Sequence, residues 1–162
     1  MEICSMSLVY IGLAATLLII VSLSIWSGSR AKKNAKNSMG VVAATAVIEV
    51  EVSNSKRPAT ITLSNEKGEE VVMTYDFQAQ TFSMDRTKAG LSDFSRDFAA
   101  KTTTPLFVSA KKHKVIIYLD KCSIEAFDAQ GNWAMTNLVF PTTPYNQLSV
   151  VGGKASVYSI NY

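Results

Sequence analysis

The sequence predicts an all-β protein, an antiparallel β-sandwich that is preceded by one hydrophobic N-terminal helix. Two observations lead to this prediction. After residue 40 the chain consists of short segments of strand length, separated by turn residues at fairly even spacing. No stretch after residue 40 has the apolar periodicity of a helix. Many short strands without helices are typical of two packed antiparallel sheets.

The N-terminal part of the chain is strongly apolar. Residues 7–26 read SLVYIGLAATLLIIVSLSIW and carry no charge. About twenty such residues in a helix span the hydrocarbon core of a bilayer. Trp26 at the end of the run and the basic residues that follow it are typical of a membrane interface. We therefore predict a transmembrane helix or signal anchor over residues 7–26, after an N-terminal tail over residues 1–6.

A secretory signal peptide and a buried core helix are the alternatives for this apolar segment. The small residues at 27–29 are compatible with signal cleavage, but the segment before the apolar run carries Glu2 and no Lys or Arg. A buried helix is disfavoured because the run has no polar face. The chain is therefore expected to be membrane-anchored or exported. The positive-inside rule places the part that follows the basic residues in the cytoplasm.

The rest of the chain divides into a linker and a sandwich. Residues 27–40 are small, polar and basic and predict a linker, so the sandwich is expected over residues 41–162. Its first strand is indicated by the near alternation of VIEVEV at residues 47–52. Residues 87–104 are polar and less regular, and they predict a long loop. Further strands are predicted over residues 59–63, 70–76, 80–85, 106–109, 114–120, 123–128, 133–140, 147–151 and 155–160.

Charge and composition argue against several classes of function. The net charge is +3 and the basic residues are dispersed beyond the apolar segment, so we predict no nucleic-acid partner. Cys4 and Cys122 lie on opposite sides of the apolar segment, and an intramolecular disulfide between them is not expected. His113 is the single histidine and the chain has no CxxC pattern, so no metal site and no cofactor are predicted.

Three stretches resemble a known family. Residues 120–127 (DKCSIEAF) are similar to the D-[RK]-[SC]-S-[VI]-E-[VI]-F strand of glycoside hydrolase family 32, in the C-terminal sandwich of levanases, inulinases and invertases. Residues 133–141 (WAMTNLVFP) resemble the strand of that family that ends in IFP, and residues 84–90 (MDRTKAG) resemble its D-R-[ST]-x-[SA]-G segment. Asp93-Phe94 and Asp97-Phe98 follow at the family's distance. Over residues 46–162 the resemblance implies a concanavalin/lectin-like jelly roll.

The resemblance also implies an activity that this chain lacks on its own. Family members hydrolyse β-fructosyl bonds with retention, through a carboxylate pair on a five-bladed propeller. Their W-x-N-D-P-N-G, R-D-P and E-C motifs are absent, and Arg96-Asp97-Phe98 is not R-D-P. We therefore predict no catalytic residues and no enzyme activity for the chain alone. Inside the matched stretches, Lys121 and Cys122 replace the commoner Arg-Ser, and Ala126 replaces a β-branched residue.

The aromatic residues are the candidates for contact with a sugar. They are Trp133, Tyr118, Phe127, Phe140, Tyr145 and Tyr158. Most of them are expected to fill the core between the sheets, because aromatic side chains bury large areas. Trp133 follows a turn and is the predicted carbohydrate-binding residue. The carboxylates Asp85, Asp120 and Glu125 are expected to be structural or solvent-facing.

The predicted function is that of a non-catalytic accessory module of a fructan- or sucrose-hydrolysing glycoside hydrolase, as a truncated or partial member of the family. A membrane-anchored fructan-binding module and a docking partner of a separately encoded propeller are the alternatives. The predicted partners are a catalytic propeller, a fructan oligosaccharide and, through residues 7–26, a membrane. A carbohydrate-handling domain is more often exported, which conflicts with the positive-inside rule, so the side of the membrane stays open.

Overall fold

The computed structural model describes residues 33–36, 40–107 and 110–160 of the chain. These residues form strands, turns and loops, with no helix among them. The strands are β1 (Lys33–Lys36), β2 (Gly40–Val41), β3 (Ala46–Ser53), β4 (Ala59–Ser64), β5 (Glu70–Asp76), β6 (Thr81–Lys88), β7 (Lys101–Pro105), β8 (Lys112–Leu119), β9 (Ser123–Asp128), β10 (Ala134–Leu138), β11 (Gln147–Val151) and β12 (Gly153–Ser159).

The strands form two sheets in which every pair is antiparallel. Sheet A has the order β1-β12-β3-β8-β9-β10, and sheet B has the order β2-β11-β4-β5-β6-β7. Strands β10 and β7 are therefore edge strands of their sheets, and they come from the parts of the chain on either side of β8 and β9. The predicted all-β antiparallel sandwich is confirmed.

The core lies between the inward faces of the two sheets. Strand β3 alternates buried and more exposed residues as its sequence predicts, and β4, β5 and β9 do the same. Each large apolar side chain that is buried in this way contributes about 1.5–3 kcal/mol to folding. The largest fully buried side chains are Tyr75, Tyr145, Phe82, Ile48, Ile61, Leu63, Met73, Met84, Leu106, Ile117, Ile124 and Leu148.

The segment between β6 and β8 differs from the prediction. Strand β7 lies inside residues 87–104, for which the sequence predicts a loop, and residues 106–107 of the predicted strand over 106–109 are not in a strand. Residues 108–109 lie outside the described part. Strand β7 is difficult to predict because its sequence, KTTTP, has no large apolar residue. Its β-branched threonines nevertheless favour an extended edge strand. The β7 side chains alternate between exposed and half-buried.

The N-terminal predictions fall largely outside the described residues. This is the case for the tail over residues 1–6, the apolar segment over residues 7–26 and much of the linker over residues 27–40. Within the linker, β1 pairs with β12, and Gly40 begins β2, so sheet pairing starts before residue 41. Among the described residues, no helix is long and apolar enough to cross a bilayer.

Candidate functional site

The stretches that resemble the family meet where the loop after β6 approaches the loop after β10. Gly90 has φ of 123°. A β-carbon at this position lies 2.7 Å from Pro141 Cα and closer still to the Phe140 carbonyl oxygen. The Leu91 amide donates a hydrogen bond of 2.8 Å to that same oxygen. Glycine is therefore required at position 90 by both its backbone conformation and the close approach of the second loop.

Arg86 joins the two sheets near their edge strands. Its Nη1 donates a hydrogen bond of 3.1 Å to the Leu138 carbonyl oxygen at the end of β10. The Arg86 amide donates to the Ala100 carbonyl oxygen at 3.2 Å. The guanidinium carbon lies 4.4 Å from the centre of the Phe98 ring, within the range of a cation–π interaction. Arg86 therefore holds the β6–β7 loop against β10.

The carboxylate of Asp85 has a local role. It accepts hydrogen bonds from the Thr87 amide at 3.0 Å and from the Thr87 hydroxyl at 2.7 Å. These hydrogen bonds hold the pKa of Asp85 below its usual range. Asp85 therefore stabilises the end of β6 as an ionised acceptor, in agreement with the structural role expected from the sequence.

The loop between β10 and β11, residues 139–146, is held from two sides. The Tyr145 hydroxyl is buried and donates a hydrogen bond to the Ala89 carbonyl oxygen. Burial raises the pKa of Tyr145, so this hydroxyl stays protonated and remains a donor. On the other side, the Glu69 carboxylate accepts from the Thr142 amide at 2.9 Å and from the Thr142 hydroxyl at 2.6 Å.

Asn65 extends the contacts of Glu69. Its Nδ2 donates to the Glu69 carboxylate at 2.6 Å and to the Thr143 carbonyl oxygen at 2.7 Å. Burial on its own raises the pKa of Glu69, but the hydrogen bonds from Thr142 and Asn65 outweigh it and leave the pKa below its usual range. No motif in the sequence predicts this anchor. Its only sequence signal is the turn composition of residues 64–68.

An apolar surface lies beside β10 and the β6–β7 loop. Phe94, Leu91 and Leu138 expose 60%, 55% and 52% of their surface. The ring centroids of Phe94, Phe98 and Phe140 lie 4.6–5.5 Å apart. We call Leu91, Phe94, Phe98, Leu138 and Phe140 the aromatic edge. Its sequence signals are the spacing of Phe94 and Phe98 in DFSRDF and the position of Phe140 in the WAMTNLVFP stretch.

The structure places Trp133 inside the sandwich. The residue is 8% exposed, and its ring stacks on Phe82 with centroids 4.4 Å apart and planes 24° apart. The turn after β9 directs the Trp133 ring inward. The Asp128 amide donates a hydrogen bond of 3.0 Å to the Trp133 carbonyl oxygen, and the Asp128 carboxylate accepts hydrogen bonds from the amide and the side chain of Asn132. The predicted sugar-facing role of Trp133 therefore conflicts with its burial, since this ring face already contacts Phe82.

The other aromatic candidates have different surroundings. Tyr145 is buried, whereas Phe127, Phe140 and Tyr158 are half-buried. Tyr118 is 44% exposed on the outer face of sheet A and forms an edge-to-face pair with Phe127 at 5.8 Å. The prediction that most of these rings lie in the core therefore agrees with the burial of Tyr145. It agrees only in part with Phe127, Phe140 and Tyr158, which are half-buried.

The turn between β8 and β9 contains the start of the DKCSIEAF stretch. The Asp120 amide donates to the Ser123 carbonyl oxygen at 3.0 Å, and the Asp120 carboxylate accepts from the Lys121 amide at 2.8 Å. The Cys122 carbonyl oxygen accepts from the Val139 amide at 2.9 Å. This turn therefore lies against the β10–β11 loop.

A cavity of about 230 Å³ lies between the β8–β9 turn and the β10–β11 loop. Its lining consists of Ala44, Leu119, Asp120, Lys121, Pro141, Pro144 and Tyr145. Asp120 and Lys121 are exposed and carry opposite charges. In the part of the chain that the structure describes, no group of His, Cys, Asp and Glu side chains forms a metal site.

Comparison with known proteins identifies relatives of this sandwich. The family model described as "Glycosyl hydrolases family 32 C terminal" matches residues 22–162. The extracellular exo-inulinase of Aspergillus awamori is 32% identical over 100 residues, which cover 57% of this chain and 19% of the relative. The sucrose-6-phosphate hydrolase of Streptococcus mutans is 26% identical over 117 residues, which cover 71% of this chain and 24% of the relative.

Solved structures share the fold. The crystal structure of exo-inulinase from Aspergillus awamori matches with a TM-score of 0.69 and 22% identity, covering 80% of this chain and 27% of that one. Sucrose-6-phosphate hydrolase from Lactobacillus gasseri matches with a TM-score of 0.65 and 15% identity, covering 81% and 28%. The chain thus spans less than a third of each of these relatives. The resemblance drawn from the sequence is confirmed, and the chain belongs to glycoside hydrolase family 32 through the C-terminal domain of that family.

Proposed function

We propose that this chain is a non-catalytic accessory module of a fructan- or sucrose-hydrolysing glycoside hydrolase, and that the aromatic edge packs against the catalytic propeller. The observation that carries the proposal is the cluster of the Phe94, Phe98 and Phe140 rings, in which Phe94 is 60% exposed. Exposed apolar side chains that cluster on a surface are typical of interaction sites. The named relatives, an exo-inulinase and a sucrose-6-phosphate hydrolase, are several times longer than the part that this chain matches.

The contacts around the aromatic edge support a docking role. Gly90 and Arg86, both in a stretch that resembles the family, hold the β6–β7 loop against the end of β10. The Arg86 guanidinium carbon lies 4.4 Å from the centre of the Phe98 ring and so contacts one ring of the aromatic edge. A rigid apolar surface loses little conformational entropy when it binds, which favours association.

The two carboxylates with shifted pKa values, Glu69 and Asp85, do not fit the acid of a retaining glycosidase. The acid of a retaining glycosidase needs a raised pKa, because it must be protonated near neutral pH. Glu69 and Asp85 have pKa values that are shifted in the opposite direction, and both accept hydrogen bonds from loop residues. The Asp120 and Asp128 carboxylates also accept hydrogen bonds within turns.

The origin of the propeller and the location of the chain are further parts of the proposal. A propeller in the same polypeptide and a separately encoded propeller are both compatible with this surface. The relatives described as extracellular exo-inulinases support export. The apolar character of residues 7–26 supports a membrane anchor or a signal segment as the means of targeting.

The test is co-expression of the full chain with the part of the Aspergillus awamori exo-inulinase that lies outside the matched region. We expect the two to co-purify, and we expect the full chain alone to hydrolyse no sucrose, inulin or levan. Phe94→Ser should weaken the complex by about tenfold or more, as expected for an aromatic anchor of an interface. Phe107→Ser is the matched control, because Phe107 is 78% exposed and follows the opposite end of β7.

Two results would contradict the proposal. Hydrolysis of sucrose or a fructan by the full chain alone would refute the non-catalytic role. Equal weakening of the complex by Phe94→Ser and Phe107→Ser, or no complex with the unsubstituted chain, would refute the assignment of the aromatic edge to propeller docking.

A further inference from the structure

We propose that the cavity between the β8–β9 turn and the β10–β11 loop binds one uncharged sugar ring, with a fructosyl unit of a fructan as the ligand. This sugar cavity is separate from the aromatic edge, because its lining includes none of the residues that define that edge. A volume of about 230 Å³ is smaller than the 300–1,000 Å³ that is usual for drug-sized ligands, so a single ring fits it better than an extended ligand.

The walls of the sugar cavity combine apolar surface with two charged groups. Pro141, Pro144 and Tyr145 supply apolar surface from the β10–β11 loop, and Asp120 and Lys121 supply the polar side from the β8–β9 turn. Sugar rings present apolar C–H faces and a rim of hydroxyl groups. A mainly apolar pocket with a few well-placed polar groups is the usual form of a site for such a ligand.

The Asp120 carboxylate and the Lys121 ammonium have hydrogen-bonding positions that a ligand can use. Within the described part of the chain, neither the Asp120 carboxylate nor the Lys121 ammonium forms an ion pair. The Asp120 carboxylate has one protein donor, the Lys121 amide, and keeps further acceptor sites for sugar hydroxyls. The Lys121 ammonium offers three donors for sugar oxygens.

The opposite charges of Asp120 and Lys121 favour an uncharged sugar. One carboxylate and one ammonium beside the same cavity carry no net charge, so the cavity has no excess of either sign to attract an ionic ligand. A phosphorylated sugar brings its negative charge close to Asp120, which opposes binding, and a cation is opposed by Lys121. An uncharged polyhydroxylated ring can use both groups as hydrogen-bond partners. The choice of a neutral sugar follows from this balance, whereas the choice of fructosyl rests on the proposed function.

The cavity walls are held in place by the surrounding structure. The β10–β11 loop is anchored by the hydrogen bond from Tyr145 to Ala89 and by those from Thr142 to Glu69. The Asn146 amide also donates to the Ser64 carbonyl oxygen at 3.0 Å. A preformed site loses less entropy on binding than a site that must become ordered, so even a small cavity is expected to give measurable affinity.

Calorimetric titration of the full chain in detergent micelles tests this proposal. The ligands are short fructo-oligosaccharides from inulin and levan, maltotriose and fructose 6-phosphate. We expect saturable binding of the fructo-oligosaccharides, weaker binding of maltotriose and at least about tenfold weaker binding of fructose 6-phosphate. Asp120→Asn should weaken fructo-oligosaccharide binding about tenfold, because a hydrogen bond to a charged acceptor becomes one to a neutral acceptor.

The matched control is Asp97→Asn, which changes the same charge on an exposed residue that does not line the cavity. Asparagine at position 120 keeps an oxygen for the Lys121 amide, so the turn should fold as before. Lys121→Gln is the second variant and should also weaken binding. The aromatic-edge complex should be unaffected by both cavity variants, which separates a failure of the sugar site from a failure of the proposed function.

Three outcomes would overturn the sugar site. They are the absence of saturable heat with the fructo-oligosaccharides, equal losses with Asp120→Asn and Asp97→Asn, and tighter binding of fructose 6-phosphate than of the neutral sugars. Equal binding of maltotriose and the fructo-oligosaccharides would overturn the assignment to a fructosyl unit.

Discussion

Substitution of Gly90 by alanine tests the junction between the two loops. The new β-carbon overlaps the Phe140 carbonyl oxygen and lies 2.7 Å from Pro141 Cα, so a loop must move and the hydrogen bond from Leu91 to Phe140 is weakened. A residue other than glycine at φ of 123° is also strained, by about 1–3 kcal/mol. Steric overlap with packed neighbours adds a further cost of about 1–3 kcal/mol. We expect Gly90→Ala to lower the free energy of unfolding by about 3 kcal/mol.

Urea unfolding followed by tryptophan fluorescence measures this effect. Trp133 is stacked on Phe82 in the core and reports on the sandwich, and Trp26→Phe in every variant removes the other tryptophan. At an m value of about 2 kcal/mol/M, the expected loss shifts the midpoint by about 1.5 M. The free energy of unfolding of a typical domain is about 5–15 kcal/mol. The expected loss is a large part of it, so the variant should remain folded only at low urea concentrations.

Gly131→Ala separates conformational strain from the close contact. Gly131 has φ of 79°, and a β-carbon there meets no atom within 4 Å. We therefore expect this control to lower the free energy of unfolding by only about 1 kcal/mol, through backbone strain alone. Equal losses for Gly90→Ala and Gly131→Ala would refute the conclusion that the Phe140 and Pro141 backbone makes glycine necessary at position 90.

Two further substitutions test Glu69 and Tyr75 through the pH dependence of stability. Because hydrogen bonds lower the pKa of folded Glu69, its contribution to stability is present above the ordinary Glu pKa of about 4.3 and is lost as the pH falls through the lowered value. Glu69→Gln should therefore flatten the acid side of a plot of urea midpoint against pH, and an unchanged acid slope would contradict the anchoring role. Burial raises the pKa of Tyr75 to about 12, so its contribution is present below the ordinary Tyr pKa of about 10 and is lost as the pH rises to about 12. Tyr75→Phe should therefore remove this alkaline loss of stability. A urea midpoint that still falls between about pH 10 and about pH 12 in the variant would refute this account.

The sandwich could be predicted from the sequence because most strands alternate locally. In β3 and β9, buried apolar residues alternate with more exposed ones, and this pattern needs no knowledge of the partner strand. Strand β7 shows the limit, because KTTTP becomes a strand only through pairing with β6. Its inward-facing Thr102 accepts a hydrogen bond of 2.8 Å from Asn137, a residue of β10 in the other sheet. No local pattern could indicate that contact.

The positions of the functional surfaces could be predicted less well, because they also depend on contacts between residues that are distant in the sequence. Trp133 follows a turn, and residues that follow turns are often exposed, but the backbone bond between Asp128 and Trp133 directs the indole inward. The sugar cavity and the aromatic edge each combine residues from distant parts of the chain. Arg86 and Leu138 are 52 positions apart. The resemblance to the family located these stretches without indicating that they meet.

The two proposed surfaces share the β10–β11 loop. Phe140 at its start belongs to the aromatic edge, whereas Pro141 and Tyr145 line the sugar cavity. The backbone between Phe140 and Pro141 lies against Gly90, so displacement of this loop changes both surfaces at once. Gly90→Ala should therefore weaken both propeller binding and sugar binding. Phe94→Ser should weaken only the first and Asp120→Asn only the second, because each changes a side chain and leaves the loop in place.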